Sequence, residues 1–142
     1  MMLARQPSFR LSPNDLPANA HYIDSCVAAG TMMNEIAACQ GDKLTVVFFT
    51  APWCPGCKRL YPKFIQIASN NPSVNFKVVC VADDALRAWA QDCMRVSRLP
   101  YFCLFVEGES VSAFSASLTS INVLRAEIAA HTPCTDQLCT TN

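Results

Sequence analysis

The sequence predicts a single α/β domain whose sheet begins with parallel strands and ends in an antiparallel hairpin. Three observations lead to this prediction. Runs of β-branched and aromatic residues alternate along the chain with segments that place apolar residues at helical spacing. The last two of these runs are separated only by Glu107-Gly108-Glu109, a short turn that suits a hairpin. The length of 142 residues accommodates one domain with short extensions.

The first half of the chain predicts two helices on either side of a central strand. Residues 20–39 carry Ile23, Val27 and later apolar residues at helical spacing, which predicts a first helix. Residues 44–49 are almost all β-branched or aromatic, as expected of a strand buried on both faces. Residues 55–69 place their apolar side chains along one helical face and predict a second helix.

The second half of the chain predicts a strand, a helix, a hairpin and a final helix. Asp83 or Asp84 is suited to cap the helix, because a short carboxylate accepts hydrogen bonds from a helix start. A parallel strand pair followed by a hairpin requires a mixed sheet. The predicted elements span residues 74–81, 83–94, 101–106, 110–114 and 118–130.

Composition and charge exclude several classes of protein. The chain is 51% hydrophobic and 15% charged, whereas average proteins contain about 25% charged residues. We therefore expect a sizeable buried core rather than disorder. The 11 basic and 11 acidic residues cancel, which argues against a nucleic-acid partner. No apolar stretch reaches the roughly 20 residues of a spanning helix, so we expect no integral membrane segment.

The nine cysteines are an odd number, which excludes complete pairing within the chain. Cys80 and Cys103 lie inside apolar runs, and we predict that they are small buried hydrophobes. Cys134 and Cys139 lie in a polar segment after the last predicted helix. They are interpreted either as a second, redox-regulatory dithiol or as part of a frayed tail.

The motif Cys54-Pro55-Gly56-Cys57 follows the predicted central strand and starts a helix. A thiolate at Cys54 would face unpaired backbone N–H groups and the positive end of the helix dipole, which lowers its expected pKa. Cys57 lies one turn further on, within reach of a mixed disulfide formed at Cys54. A zinc half-site completed by Cys134 with Cys139 or His131 is the alternative. A lone C-x-x-C in a βαβ pattern favours redox chemistry, so we expect no metal.

Residues 46–58 have the sequence VVFFTAPWCPGCK, a strand that leads into Trp-Cys-x-x-Cys-Lys and a helix. This segment resembles the active-site segment of the thioredoxin family. The likeness covers roughly residues 42–131 and implies the thioredoxin fold, with a mixed central sheet and helices on both faces. Three further positions agree with the family at fixed offsets from this motif. Pro62 lies where the family kinks its active-site helix, Leu99-Pro100 where it has a cis-proline, and Gly108 in the hairpin turn.

The resemblance implies thiol–disulfide exchange with protein substrates, without a bound cofactor. Cys54 would be the catalytic nucleophile and Cys57 the resolving thiol, and an upstream thiol reductant would renew the dithiol. The backbone of Leu99 would pair with an extended substrate strand. The substrate-binding residues implied in this way are Trp53, Pro55, Gly56, Leu99, Pro100 and Tyr101.

The sequence departs from thioredoxins in two ways that bear on the chemistry. Pro55-Gly56 replaces the usual Gly-Pro, and proline in first place is similar to glutaredoxins and tryparedoxins. We expect Gly56 to loosen the turn and raise the reduction potential above thioredoxin's value of about −270 mV. Phe48 occupies the position of a buried aspartate that assists proton transfer at the second cysteine. An apolar wall there would keep the pKa of Cys57 high and slow resolution.

These departures, the apolar content and the additional cysteines also suit another hypothesis. The chain would then be a redox-regulated, holdase-type chaperone or client-binding protein on a thioredoxin scaffold, with weak reductase activity. Ala116, where the family often has glycine, would alter the substrate-facing surface.

Three segments are expected along the chain: an N-terminal extension (1–19), a thioredoxin-like domain (20–131) and a C-terminal tail (132–142). Residues 1–14 carry Arg5, Arg10 and serines but no acid. This composition is typical of a mitochondrial transit segment, and the alternative is a plain tail on a cytoplasmic protein.

Overall fold

The computed structural model describes residues 16–39 and 43–131. Within them, the chain forms one five-stranded sheet and four helices. In chain order the elements are β1 (Ala20–Ile23), α1 (Cys26–Ala38), β2 (Leu44–Thr50), α2 (Pro55–Asn70), β3 (Asn75–Cys80), α3 (Asp84–Asp92), β4 (Tyr101–Val106), β5 (Glu109–Ser115) and α4 (Ile121–His131).

The predicted helix over residues 20–39 is wrong in its first part, which forms strand β1. Ser25 ends the extended segment and caps α1, because its hydroxyl oxygen accepts a hydrogen bond from the N–H of Ala28 at 3.1 Å. Ile23 therefore belongs to a strand, and Val27 is 82% exposed rather than part of a buried face. The physical reason is non-local: the backbone of β1 pairs in parallel with β3, from Ala20 opposite Phe76 onwards.

The sheet has the strand order β1-β3-β2-β4-β5, which confirms the prediction of a mixed sheet with β2 at its centre. β3 pairs in parallel with both β1 and β2. β4 pairs antiparallel with β2 and with β5, and its observed bounds are those predicted. The hairpin turn holds Glu107 at φ 54° and Gly108 at φ 82°, the left-handed region that favours glycine.

Helices cover both faces of the sheet, as predicted. On one face, α2 and α4 pack against Val46, Phe48 and other buried side chains of the strands. On the other face, α1 and α3 pack against Val47 and Phe49. Successive residues of β2 thus point into opposite clusters, which explains why the whole strand is buried.

The starts of α2 and α3 explain where the chain turns back from the sheet. Asp83 is the N-cap of α3, and its Oδ2 accepts a hydrogen bond from the N–H of Leu86 at 3.0 Å. Cys54 is the N-cap of α2, directly after the central strand, and Pro62 lies inside that helix.

No helix among the described residues is long and apolar enough to cross a membrane.

Candidate active site

The two cysteines of the C-x-x-C motif lie at the start of α2, at the end of the sheet where β2 finishes. Cys54 is the N-cap residue, with φ −93° and ψ 105°, and Pro55 opens the helix. The N–H of Cys57 donates a hydrogen bond to Sγ of Cys54 at 3.1 Å. Cys54 and Cys57 form a disulfide, with their Cα atoms 5.2 Å apart.

The two sulfur-bearing residues differ in accessibility. Cys54 is 7% exposed, whereas Cys57 is completely buried. Their neighbour Trp53 is 54% exposed, so an apolar indole lies on the surface beside Cys54. An incoming sulfur atom can therefore approach Cys54 more easily than Cys57.

Pro100 lies against the first turn of α2, although it comes 43 positions after Cys57 in the chain. The Leu99–Pro100 peptide bond is cis. A Cβ atom built at Gly56 would be only 3.3 Å from Cδ of Pro100. The tertiary structure thus brings the C-x-x-C turn and Pro100 together at one surface.

Leu99 and Tyr101 flank Pro100 and are both half-buried. Both pack against the apolar cluster that contains Cys54 and Cys57. The Tyr101 ring lies 6.5 Å from the ring of Phe49, and burial raises the pKa of the Tyr101 hydroxyl. Of the substrate-binding residues inferred from the sequence, Pro55 is exposed on the first turn of α2.

Phe48 fills the position of the missing acid with a fully buried ring. This ring lies 4.7 Å from the ring of Phe64 and 4.9 Å from that of Phe102. Phe48 belongs to the cluster under α2 and α4, whereas Cys57 belongs to the cluster on the other face of the sheet. Phe48 thus places an aromatic stack without a proton acceptor where the resemblance predicts a carboxylate. It does not form the expected apolar wall beside Cys57, because its ring packs in the other cluster.

Sequence reasoning missed the two arginines beside the site. The guanidinium carbon of Arg87, on α3, lies 5.6 Å from the centroid of the Trp53 ring, a cation–π distance. Arg87 and Arg98 line a cavity of about 230 Å³ together with Trp53 and Leu99. No local motif predicts this contact, because α3 reaches the active-site loop only in the folded chain.

The remaining cysteines of the described part of the chain lie away from the disulfide in sequence and differ in burial. Cys80 and Cys103 are buried, as predicted, and burial raises the pKa of the Cys103 thiol to about 11. Cys26 and Cys93 are exposed, and Cys39 is half-buried.

The predicted regulatory pair, Cys134 and Cys139, lies outside the described residues. Among residues 16–39 and 43–131, no three histidine, cysteine or acidic side chains are grouped to hold a metal ion.

Comparisons with known proteins agree on one family. The Thioredoxin family model matches residues 26–130. "Thioredoxin-like 1-2, chloroplastic" of Arabidopsis thaliana is 33% identical over 112 residues, which are 78% of this chain but 40% of that protein. The chain thus spans about two fifths of the length of this relative.

Two further proteins are similar over most of their own length. Human thioredoxin is 34% identical over 91 residues, which cover 64% of this chain and 84% of the human protein. Thioredoxin NaTrxh from Nicotiana alata superposes with a TM-score of 0.68 at 23% identity. The superposition covers 81% of this chain and 94% of that structure, and it shows the same fold.

Proposed function

Because the chain belongs to the thioredoxin family, we propose that it exchanges electrons with protein disulfides through Cys54 and Cys57. One observation carries this proposal. The more accessible residue of the pair, Cys54, caps a helix and its sulfur accepts a backbone hydrogen bond, while Cys57 is completely buried. This arrangement suits two different roles: Cys54 attacks the substrate disulfide, and Cys57 resolves the mixed disulfide that results.

Cys54 is the attacking group of the proposed cycle. Its thiolate is stabilised by the N–H of Cys57 and by the positive end of the α2 dipole. The thiolate attacks one sulfur of a substrate disulfide, so that a bond forms from Cys54 to the substrate. The other substrate sulfur leaves as a thiolate and takes a proton from water.

Cys57 resolves the mixed disulfide. Its thiol loses a proton, and its sulfur attacks Sγ of Cys54, which releases the second substrate sulfur as a thiolate. Two electrons have then passed to the substrate, and the Cys54–Cys57 disulfide remains. A dithiol reductant reverses these exchanges and renews the two thiols.

The proposed substrate surface is formed by the loop before α2 and by the segment around Pro100. Trp53 supplies an exposed apolar contact. Pro55 and Gly56 form the turn against which the substrate lies. The backbone of Leu99 pairs with an extended substrate segment as an added strand, and Tyr101 borders it. Support comes from the close approach of Gly56 and Pro100.

The resolving step is expected to be slow. Phe48 provides no carboxylate, so the Cys57 proton passes to water or to a group brought by the substrate. Loss of a positioned general base lowers a rate by roughly 10²- to 10⁴-fold. We therefore propose that this protein holds mixed disulfides longer than a thioredoxin with the buried acid.

Reduction of a protein disulfide by the wild type and three variants tests the proposal. Cys54→Ser abolishes turnover, and Cys57→Ser accumulates a covalent complex with the substrate. Cys93→Ser is the matched control, since Cys93 is an exposed cysteine outside the motif, and it keeps the wild-type rate. Full activity of Cys54→Ser would exclude the proposed chemistry.

The holdase alternative stays a prediction from the sequence. A suppression-of-aggregation assay with oxidised and reduced protein separates it from the reductase, because only the holdase protects clients without turnover. Equal protection by both redox forms would contradict a redox switch.

The location in the cell also stays a prediction. The composition of residues 1–14 favours a mitochondrial transit segment, whereas the name of the Arabidopsis relative assigns that protein to the chloroplast. We propose that residues 20–131 act as the catalytic domain. A fluorescent fusion to residues 1–19 tests the targeting role: mitochondrial fluorescence supports it, and diffuse or plastid fluorescence contradicts it.

A further inference from the structure

A cavity of about 230 Å³ is lined by residues of the loop before α2, of α3 and of the segment that precedes Pro100. Trp53, the neighbour of Cys54 in the chain, forms one side of it. Leu99, which precedes Pro100, forms another. The cavity therefore adjoins both segments of the proposed substrate surface, so a client segment bound there has side chains within its reach.

Among the residues that the structure describes, every charged side chain that lines this cavity is positive. Arg87 and Arg98 both line it, and no acidic side chain does. Arg98 is exposed and forms no ion pair with the described part of the chain. Its five N–H donors are thus available to a carboxylate from a partner.

Arg87 is held in place by two contacts. Its guanidinium lies over the Trp53 ring at 5.6 Å, and one of its nitrogens lies 2.6 Å from Oδ1 of Asp84. The carboxylate of Asp84 is itself 90% exposed, so water screens this ion pair. Arg87 keeps further donors, which the ring contact orients beside the cavity.

We propose that the cavity is a specificity subsite for an acidic side chain that flanks the disulfide cysteine of a client protein. This inference rests on the proposed reductase function and adds the substrate class: clients with glutamate or aspartate two positions from the cysteine that Cys54 attacks. In an extended client strand, a residue two positions from the cysteine lies about 7 Å away. A residue at that position points to the same face of the strand as the cysteine, so its carboxylate can face the arginines of the cavity while the cysteine faces Cys54.

Two peptides test the preference. Each contains one disulfide loop, and the residues two positions before and after the attacked cysteine are glutamate in one peptide and glutamine in the other. We expect the second-order rate constant of the reduced protein to be about three- to fivefold higher for the glutamate peptide. The preference declines with added salt, because salt screens exposed charges.

Arginine variants locate the effect. Arg98→Gln at least halves the glutamate-to-glutamine rate ratio, and the double variant Arg87→Gln/Arg98→Gln brings it to one. Arg125→Gln is the matched control, since Arg125 lies on α4, bonds to Asn122 and does not line the cavity. A glutamate-to-glutamine rate ratio near one in the wild type would contradict the subsite. An unchanged ratio in the double variant would contradict it as well. Neither result would contradict the reductase function.

A binding measurement separates the subsite from the reductase function. If neither peptide is reduced, the proposed function fails. The subsite is then tested by the affinity of the protein for peptides that contain no disulfide. Trp89→Phe leaves Trp53 as the single tryptophan reporter, since the chain contains two. Tighter binding of a disulfide-free glutamate peptide than of its glutamine counterpart supports the subsite, and equal binding overturns it.

Discussion

The ring of Phe48 lies 4.9 Å from the ring of Phe102 at an interplanar angle of 21°, across the antiparallel pair of β2 and β4. Phe64 of α2 joins the same stack. This relationship places aromatic packing at the position where the resemblance to thioredoxins led us to expect a buried acid. The change thus links the stability of the core to the chemistry of the site, because a carboxylate cannot be restored at this position without breaking the stack.

Phe48→Asp should lower the free energy of unfolding by at least about 3 kcal/mol, because it removes a buried ring and buries an unpaired carboxyl. Phe48→Leu is the matched control and should cost about 1.5 kcal/mol or less. Urea unfolding of the two variants measures the difference. Equal stability of both variants would show that the carboxyl finds a partner or water.

Gly30→Ala should raise the free energy of unfolding by about 0.5–1 kcal/mol, because alanine favours the helix and nothing lies within 4 Å of the added Cβ. Gly56→Ala should give no such gain, because its Cβ would press on Cδ of Pro100 at 3.3 Å. Thermal and urea unfolding of both variants compare them. A gain at Gly56 as large as that at Gly30 would mean that Pro100 shifts freely.

Stability should fall between about pH 9 and pH 11 through Cys103. Burial raises the pKa of this thiol from 9.0 to about 11 in the folded protein. The unfolded chain therefore ionises first, and the stabilisation present below pH 9 is lost as the pH approaches 11. One pKa unit corresponds to about 1.4 kcal/mol, so the loss is on the order of 2–3 kcal/mol.

Cys103→Ala removes this titration, whereas the other ionisable groups remain. The pH dependence of its unfolding free energy, measured in urea from pH 8 to pH 11, should be flatter than that of the wild type. Parallel curves for the two proteins would rule out Cys103 as the source of the slope.

Glu35→Gln should destabilise the fold by about 1 kcal/mol, because it removes the partner of a lysine whose side chain is mostly buried, while the 59% exposure of Glu35 lets water screen the pair. Nζ of Lys77 on β3 lies 3.2 Å from Oε1 of Glu35 on α1, and the Lys77 side chain is only 11% exposed. Adding Lys77→Met should recover at least half of the loss, since no buried charge then remains. A double variant less stable than Glu35→Gln alone would contradict this account.

Local pattern was sufficient for most of the elements. The dense apolar run of β2 and the turn before β5 define their own structures, and the predicted bounds of β4 are the observed ones. β1 could not be predicted in the same way, because its four residues form a strand only by pairing with β3, more than fifty residues later in the chain. Ile23 and Val27 happened to continue a helical spacing, and that spacing misled the prediction.

By itself, the sequence determined the α/β order and the C-x-x-C turn at a helix start. These features depend on neighbouring residues, whose spacing and capping preferences act within one or two turns. Only the tertiary structure decided that Pro100 lies against Gly56 and that Arg87 lies over Trp53. Such contacts join distant segments, and they exist only once packing of both helix layers on the sheet has brought those segments to one edge.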